Sequence, residues 1–197
     1  MDATRRSFLA GTGAFLAGTG ALALAGLPRA AAGATMTEDG YYREDWFIDS
    51  FLELADDLEA AAQRGKRFAV LWELRGCPYC REMHLVNFAR EDIRDFVRTH
   101  FDILQLNILG ARKVTDFDGE VLSEKQFAAK YGVKFTPTIQ FFPDSLQGLK
   151  ELAPQKREVM RMPGYLRPDD FLDVFRFVQQ KSYGTKTLRE FLKSERG

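Results

Sequence analysis

Two cysteines separated by two residues directly follow a short apolar segment. Residues 67–74 (R-F-A-V-L-W-E-L) form an almost continuous apolar run, which is typical of a buried strand. Cys77 comes immediately after Gly76, where this strand is predicted to end. Pro78 suits the first turn of a helix, because its missing N–H would have no helical partner there. A strand that leads through Cys-Pro-Tyr-Cys into a helix places both thiols in the first turn of that helix.

The segments around this motif alternate between helical and strand patterns. Apolar spacing predicts helices at 45–64, 79–90 and 123–131 and after Pro168, and residues 91–99 either extend the second helix or form another. Strands are predicted at 67–74, 101–108, 133–143 and 157–162. This order indicates an α/β fold with a mixed central β-sheet flanked by helices on both faces, an insertion around 109–122 and an extra C-terminal helix.

The first 34 residues resemble a targeting segment. Two arginines, Arg5 and Arg6, precede a run without charged residues, and an Ala-rich end follows it. This pattern is typical of a twin-arginine (Tat) signal peptide with cleavage after Ala32, although a retained membrane tether is the alternative. We therefore predict a signal region at 1–34, a linker at 35–44, a domain at 45–183 and a helical tail at 184–197. The predicted location is the periplasm.

The charged residues favour no particular class of partner. The chain contains 28 basic and 28 acidic residues, and cleavage after Ala32 would leave a net charge of −2. No basic stripe suited to nucleic acid is present in the sequence. We therefore expect no nucleic-acid partner.

The only two cysteines, Cys77 and Cys80, allow several interpretations. A structural staple is disfavoured, because a bridge over three residues constrains the unfolded chain very little. A structural zinc site usually needs four protein ligands, and the sequence has no second C-x-x-C motif. Cu(I) binding by the thiolates, with His84 four residues beyond Cys80, stays open. Covalent haem attachment is excluded, because Arg81 occupies the position of the histidine in that motif. Redox chemistry is the preferred interpretation.

The position of each cysteine predicts a different role in that chemistry. The N–H groups and the dipole at the start of a helix favour the thiolate form of Cys77, which should act as the nucleophile. Cys80 lies one turn further into the helix and should be more buried. Its thiol is placed to attack a mixed disulfide and to release the product.

Several motifs resemble those of thioredoxin-fold proteins over about residues 45–182. These are the strand-C-P-Y-C-helix start, F-T-P-T at 135–138 and M-P-G-Y at 162–165. G-C-P-Y-C-R-E-M-H, L-N-I-L-G-A-R-K-V-T-D-F-D-G-E and R-M-P-G-Y-L-R-P are more closely similar to the SoxW-type periplasmic thioredoxins of sulfur-oxidation clusters. The resemblance implies a thioredoxin-like fold and a redox-active disulfide with no other cofactor.

The resemblance also implies a substrate-binding surface. In the family, the proline equivalent to Pro137 follows a cis peptide bond and faces the cysteines, so that Thr136 can pair with an extended substrate. An ordinary edge-strand proline is the alternative. Pro78 and Tyr79, between the cysteines, and Gly164, which is otherwise a simple turn glycine, would belong to the same surface.

Glu73 allows two interpretations, and the D-F-D-G loop at 116–119 resembles part of a calcium-binding loop. In the family a buried acid beneath the second cysteine accepts its proton, at a position that Leu71 occupies here. Glu73 shares a strand face with Leu71, so it either fills this role or reaches solvent at the strand end.

His84 is predicted to be a partly exposed helix residue. The loop lacks later calcium ligands and is predicted to be a surface turn.

These observations predict a periplasmic thiol–disulfide oxidoreductase that reduces exported proteins. By the resemblance, a membrane electron carrier of the CcdA/SoxV kind would re-reduce it, and its substrates would belong to sulfur oxidation or cytochrome maturation. We expect a monomer. A disulfide-introducing oxidase would use the same residues, and a copper-carrying binding protein is the second alternative.

Overall fold

A computed structural model describes residues 33–196, and the predicted signal segment lies almost entirely outside them. Over these described residues, two antiparallel pairs and one mixed sheet contain the strands β1 Thr35–Met36, β2 Tyr42–Arg43, β3 Arg67–Glu73, β4 Phe101–Asn107, β5 Lys113–Thr115, β6 Val121–Ser123, β7 Thr138–Phe141 and β8 Met160–Pro163. The helices are α1 Leu54–Gln63, α2 Pro78–Glu82, α3 Glu91–His100, α4 Glu124–Lys130, α5 Pro168–Gln179 and α6 Leu188–Arg196.

The central sheet has the strand order β4-β3-β7-β8. Strand β3 is parallel to β4 and antiparallel to β7, and β8 is antiparallel to β7. The predicted mixed sheet flanked by helices is therefore confirmed. In the predicted helix at 79–90, α2 passes directly into a π-helical segment, Met83–Phe88.

Alternation along β3 divides the core between the two faces of the sheet. Ala69 and Leu71 pack on a first face with residues of α3 and α5, whereas Phe68, Val70 and Trp72 pack on a second face with α1 and α4. Because successive strand residues point to opposite faces, Glu73 belongs to the first face, with Leu71. That face is also the one against which the helix following the cysteines packs.

The first predicted helix is too long at its start. Helix α1 begins at Leu54, and Phe51, predicted to lie on its apolar face, is 98% exposed. Leu52 has a left-handed backbone with a φ of 64°, which interrupts helical geometry. The Ser50 hydroxyl accepts a hydrogen bond from the Leu52 N–H and donates one to Asp57, so this local turn competes with helix formation.

The predicted linker contains an antiparallel pair, because β1 pairs with β2. Directly after β2, Glu44 is buried. Ser123 and Gln126 form a capping box at the start of α4, and Thr187 and Glu190 exchange the equivalent hydrogen bonds before α6. Within residues 33–196, none of the helices has the length and apolar content needed to cross a membrane.

The insertion forms a hairpin of β5 and β6 around the D-F-D-G turn. The prediction of a surface turn is wrong for its first two residues, because Asp116 and Phe117 are buried. Asp116 accepts hydrogen bonds from Tyr131 and Arg157, and Lys130 is 2.5 Å away. Partners from elsewhere in the chain therefore draw this carboxylate into the protein.

Candidate active site

Cys77 lies at the start of α2 and is bonded to Cys80 in a disulfide. Its backbone is extended, so it caps the helix, and its sulfur accepts a hydrogen bond from the Cys80 N–H at 3.1 Å. Pro78 occupies the first helical position, as predicted. When the disulfide is reduced, the same N–H and helix terminus would stabilise a Cys77 thiolate.

The two sulfur-bearing residues differ in accessibility. Cys77 is partly exposed, whereas Cys80 is 5% exposed. Both line a cavity of about 300 Å³, together with Glu73 and with Tyr41 and Tyr42 of the N-terminal hairpin. An incoming disulfide can therefore reach Cys77, while Cys80 faces an interior that also contains a carboxylate.

The loop before β7 packs directly against Cys77. The Thr136–Pro137 peptide bond is cis. The Thr136 hydroxyl donates a hydrogen bond to the Cys77 sulfur at 3.5 Å, and the Thr136 carbonyl oxygen lies 3.6 Å from that sulfur. The Gly164 N–H donates to the Pro137 carbonyl oxygen at 2.7 Å, and Gly164 has a φ of 81°, a conformation that favours glycine. Thr136, Pro137 and Gly164 thus lie together beside Cys77.

Exposed aromatic residues surround this loop and the start of α2. Tyr79 is 61% exposed and stacks on Tyr165, with ring centroids 6.2 Å apart. The Tyr165 hydroxyl donates to Asn87 of the π-helical segment, which fixes this ring. Phe135, immediately before Thr136, is 66% exposed. These rings offer an apolar surface to a polypeptide that approaches Cys77.

Glu73 is buried at the end of β3 and does not reach solvent. One carboxylate oxygen lies 3.0 Å from Nε2 of His84. The other accepts a short hydrogen bond from the side-chain amide of Gln105 on β4, and the same amide donates to the Tyr42 carbonyl oxygen at 2.7 Å. Glu73 is therefore held between the helix that follows the cysteines and the neighbouring strand.

The prediction that His84 is a partly exposed helix residue is wrong, because it is 1% exposed. It lies in the π-helical segment, and its ring is close to the aromatic rings of Phe47 and of Phe88 in the same segment. Nδ1 of His84 lies 2.8 Å from a carboxylate oxygen of Glu44, which is 40 residues away in the chain. Sequence reasoning missed this partner, because nothing near Glu44 indicates that its segment folds over the cysteine motif.

The two carboxylates determine the charge of His84. Burial lowers the pKa of the imidazole, but the hydrogen bonds with Glu44 and Glu73 and the charges of both carboxylates outweigh it and raise the pKa to about 9. Near neutral pH the ring is therefore an imidazolium ion between two carboxylates.

This imidazolium should make the protein less stable at alkaline pH. Since the pKa of His84 is higher in the folded state than its ordinary value of 6.5, its stabilisation is complete below about pH 6.5 and is lost as the pH rises through about 9. Each pH unit in this window should lower the free energy of unfolding by about 1.4 kcal/mol, or roughly 3 kcal/mol in total. Urea unfolding across the window measures this slope.

Glu44→Gln is the matched variant for the alkaline effect. It retains an acceptor for Nδ1 of His84 but removes the charge, so the pKa of His84 should fall and the slope should flatten. Equal slopes in the two proteins would contradict the assignment.

The contacts of His84 also bear on the metal alternative. Both ring nitrogens of His84 face carboxylate oxygens, so the imidazole does not join Cys77 and Cys80 as a ligand. Over residues 33–195, no grouping of three or more cysteine, histidine or acidic side chains has the arrangement of a metal site.

Known protein families and solved structures include domains similar to this chain. The family model described as a thioredoxin-like domain matches residues 54–179. A thioredoxin-fold protein from Helicobacter pylori superposes with a TM-score of 0.50 and 20% identity, over 71% of this chain and 96% of that chain. A thioredoxin from Thermus thermophilus gives 0.47 and 20%, over 64% and 83%. The oxidised DsbD C-terminal domain of Neisseria meningitidis gives 0.44 and 13%, over 66% and 96%. The comparison with curated proteins gave no match.

Proposed function

This chain belongs to the thioredoxin-like domain family, with Cys77–Cys80 as its disulfide-forming pair, and we propose that it reduces disulfides of exported proteins in the periplasm. One observation carries the proposal: a partly exposed cysteine caps a helix, and a buried cysteine lies behind it in the same turn. Because of this asymmetry, the Cys77 sulfur can react with a protein substrate, and the Cys80 sulfur can then attack the resulting mixed disulfide.

The reaction uses the residues around the pair in two exchange steps. In the reduced protein, the Cys77 thiolate attacks a substrate disulfide, which forms a mixed disulfide and releases one substrate thiolate. Cys80 then transfers its proton to Glu73 and attacks the Cys77 sulfur. The Cys77–Cys80 bond forms, the bond to the substrate breaks, and the second substrate sulfur leaves with the electron pair.

The surface beside Cys77 would bind the substrate. An extended segment of the partner would pair with the backbone at Thr136, next to Pro137 and Gly164, as a strand added to the sheet. Tyr79 would contact its apolar side chains, and Pro78 would shape the start of the helix beneath it. The exposed rings and the close approach of Thr136 to the Cys77 sulfur support this arrangement.

The cellular role follows from the motifs in the sequence. The twin-arginine pattern supports export, and the similarity to SoxW-type thioredoxins supports substrates in sulfur oxidation or cytochrome maturation. A membrane electron carrier of the CcdA/SoxV kind would supply electrons to the Cys77–Cys80 disulfide. The reaction needs no further cofactor, because the pair itself stores the two electrons.

The reduction potential of the pair tests the direction of electron flow. For a reductant we expect a value close to that of thioredoxin, about −270 mV, measured by equilibration with glutathione and quantification of thiols. A value near about −120 mV, as in strong periplasmic oxidants, would overturn the reductase proposal and favour a disulfide-introducing oxidase.

A further inference from the structure

His84 connects the N-terminal hairpin to the redox pair through two buried carboxylates. We propose that His84, held by Glu44, is a positioning residue that keeps the Glu73 carboxylate ionised and oriented toward Cys80 during the second exchange step. This inference rests on the proposed function, because it requires Glu73 to accept the proton of Cys80. Neither Glu44 nor His84 contacts the reacting sulfur atoms in this arrangement; they act through Glu73.

The two contacts of the imidazole indicate how many protons lie between His84 and the carboxylates of Glu44 and Glu73. Nδ1 lies 2.8 Å from Glu44 and Nε2 lies 3.0 Å from Glu73. A neutral imidazole has one N–H donor and one acceptor nitrogen, whereas an ionised carboxylate only accepts. The two contacts therefore need two protons, and the raised pKa of His84 places both of them on the ring nitrogens. One positive charge then stands between two negative charges in a buried site.

The surroundings of His84 leave these carboxylates in control of its charge. Within residues 33–195, Glu44 after β2 and Glu73 on β3 are the acidic groups that bond to the ring. Three aromatic rings also lie near it: those of Tyr42, Phe47 and Phe88 are 6.1, 5.8 and 5.6 Å away between centroids. Because His84 and Glu73 are each 1% exposed, the attraction between the imidazolium and Glu73 is stronger than it would be at the surface.

Glu73 links the imidazolium to the cysteines. It lines the same cavity as Cys77 and Cys80, and Gln105 holds its second oxygen through a short hydrogen bond. With both oxygens held, the carboxylate has little freedom to turn away from the cavity. Removing the imidazolium would leave two buried carboxylates without their counter-ion, and protonation of Glu73 would then be favoured. A protonated Glu73 cannot accept the Cys80 proton.

Reaction of the reduced protein with dithiobis(nitrobenzoate) separates the two steps in one stopped-flow trace. Cys77 attacks the reagent and releases one thionitrobenzoate, and Cys80 then resolves the mixed disulfide and releases the second. We expect His84→Gln to slow the second phase about tenfold near neutral pH and to shift its rise to higher pH. The first phase should stay within about twofold of the wild type, because Cys77 attack does not use Glu73.

Glu44→Gln supplies the second variant if His84→Gln does not fold. It should slow the second phase by a smaller factor, and the NMR titration of the His84 ring should move to lower pH than in the wild type. Asp49→Asn is the matched control, because it removes an exposed carboxylate from the same segment and should change neither readout.

The possible results separate the two proposals. If both variants lower the thermal midpoint but retain the wild-type rate and pH profile of the second phase, His84 is purely structural and the inference is wrong. A neutral His84 ring near neutral pH in the wild type would also overturn it. By contrast, a wild-type first phase no faster than that of a free thiol would contradict the proposed function itself.

Discussion

Replacing Cys80 by serine is expected to stop each turnover at a mixed disulfide between Cys77 and the substrate. The first exchange needs only the Cys77 sulfur, which lies at the accessible start of α2. The second exchange is intramolecular, and such reactions gain effective concentrations far above those of added thiols. Its loss should therefore slow product release at least about a thousandfold. Non-reducing electrophoresis and intact mass measurement would show the accumulated adduct.

Cys77→Ser supplies the comparison for the trapping experiment. It should show no adduct and no reduction of a disulfide substrate, because Cys80 is only 5% exposed. Its rate should fall to that of the uncatalysed exchange, at least about a thousandfold below the wild type. Accumulation of adducts in Cys77→Ser but not in Cys80→Ser would reverse the assigned roles of the two cysteines.

The sequence predicts the parts of the site that depend on local chain geometry. The apolar run before Cys77, together with Pro78, predicts a strand followed by a helix, and β3 and α2 occupy these positions. Alternation along β3 places Glu73 on the same face as Leu71, so the sequence allows for the burial of Glu73. These features need only neighbouring residues for their prediction.

The partners of Glu73 could not be predicted in the same way. Glu44 lies 40 residues before His84, in a segment whose composition indicates a linker. Its burial depends on the pairing of β1 with β2 and on the bond from Gln105 to the Tyr42 carbonyl, neither of which leaves a pattern in the sequence. The sequence predicts a partly exposed position for His84, because a polar residue on a helix is usually solvated. Tertiary contacts override that preference here.

The burial of the D-F-D-G loop could not be predicted from the sequence either. A cluster of charged residues is buried there, away from the redox site. Arg157 is buried and donates to Asp116 at 2.9 Å and to Asp118 at 2.8 Å. It also donates to the backbone carbonyls of Leu152 and Lys150, which ties three segments together. The cluster packs with residues of the second face of the sheet, whereas His84 packs on the first.

Arg157→Met should destabilise the folded protein by roughly 3–5 kcal/mol, because it leaves the buried Asp116 without one of its two cationic partners. Arg90→Met is the matched control. Arg90 pairs with Asp92 and Asp169 at the surface, where solvent screens the charges, so its loss should leave the free energy of unfolding nearly unchanged. Urea unfolding of both variants measures the difference, and a loss below about 1 kcal/mol for Arg157→Met would contradict the prediction.

A second substitution distinguishes the lost charge from lost packing. If the weaker compensation of the Asp116 charge causes the instability, adding Asp116→Asn to Arg157→Met should recover part of the loss, although Asp116→Asn alone should destabilise the wild type. If lost packing of the guanidinium is the cause, the two losses should add. The rates of both redox phases should remain unchanged in every folded variant, because the charge cluster and the Glu44–His84–Glu73 group lie on opposite faces of the sheet and share no residue. If a folded variant at Arg157 or Asp116 did change these rates, the two buried charge groups would be coupled through the strands between them.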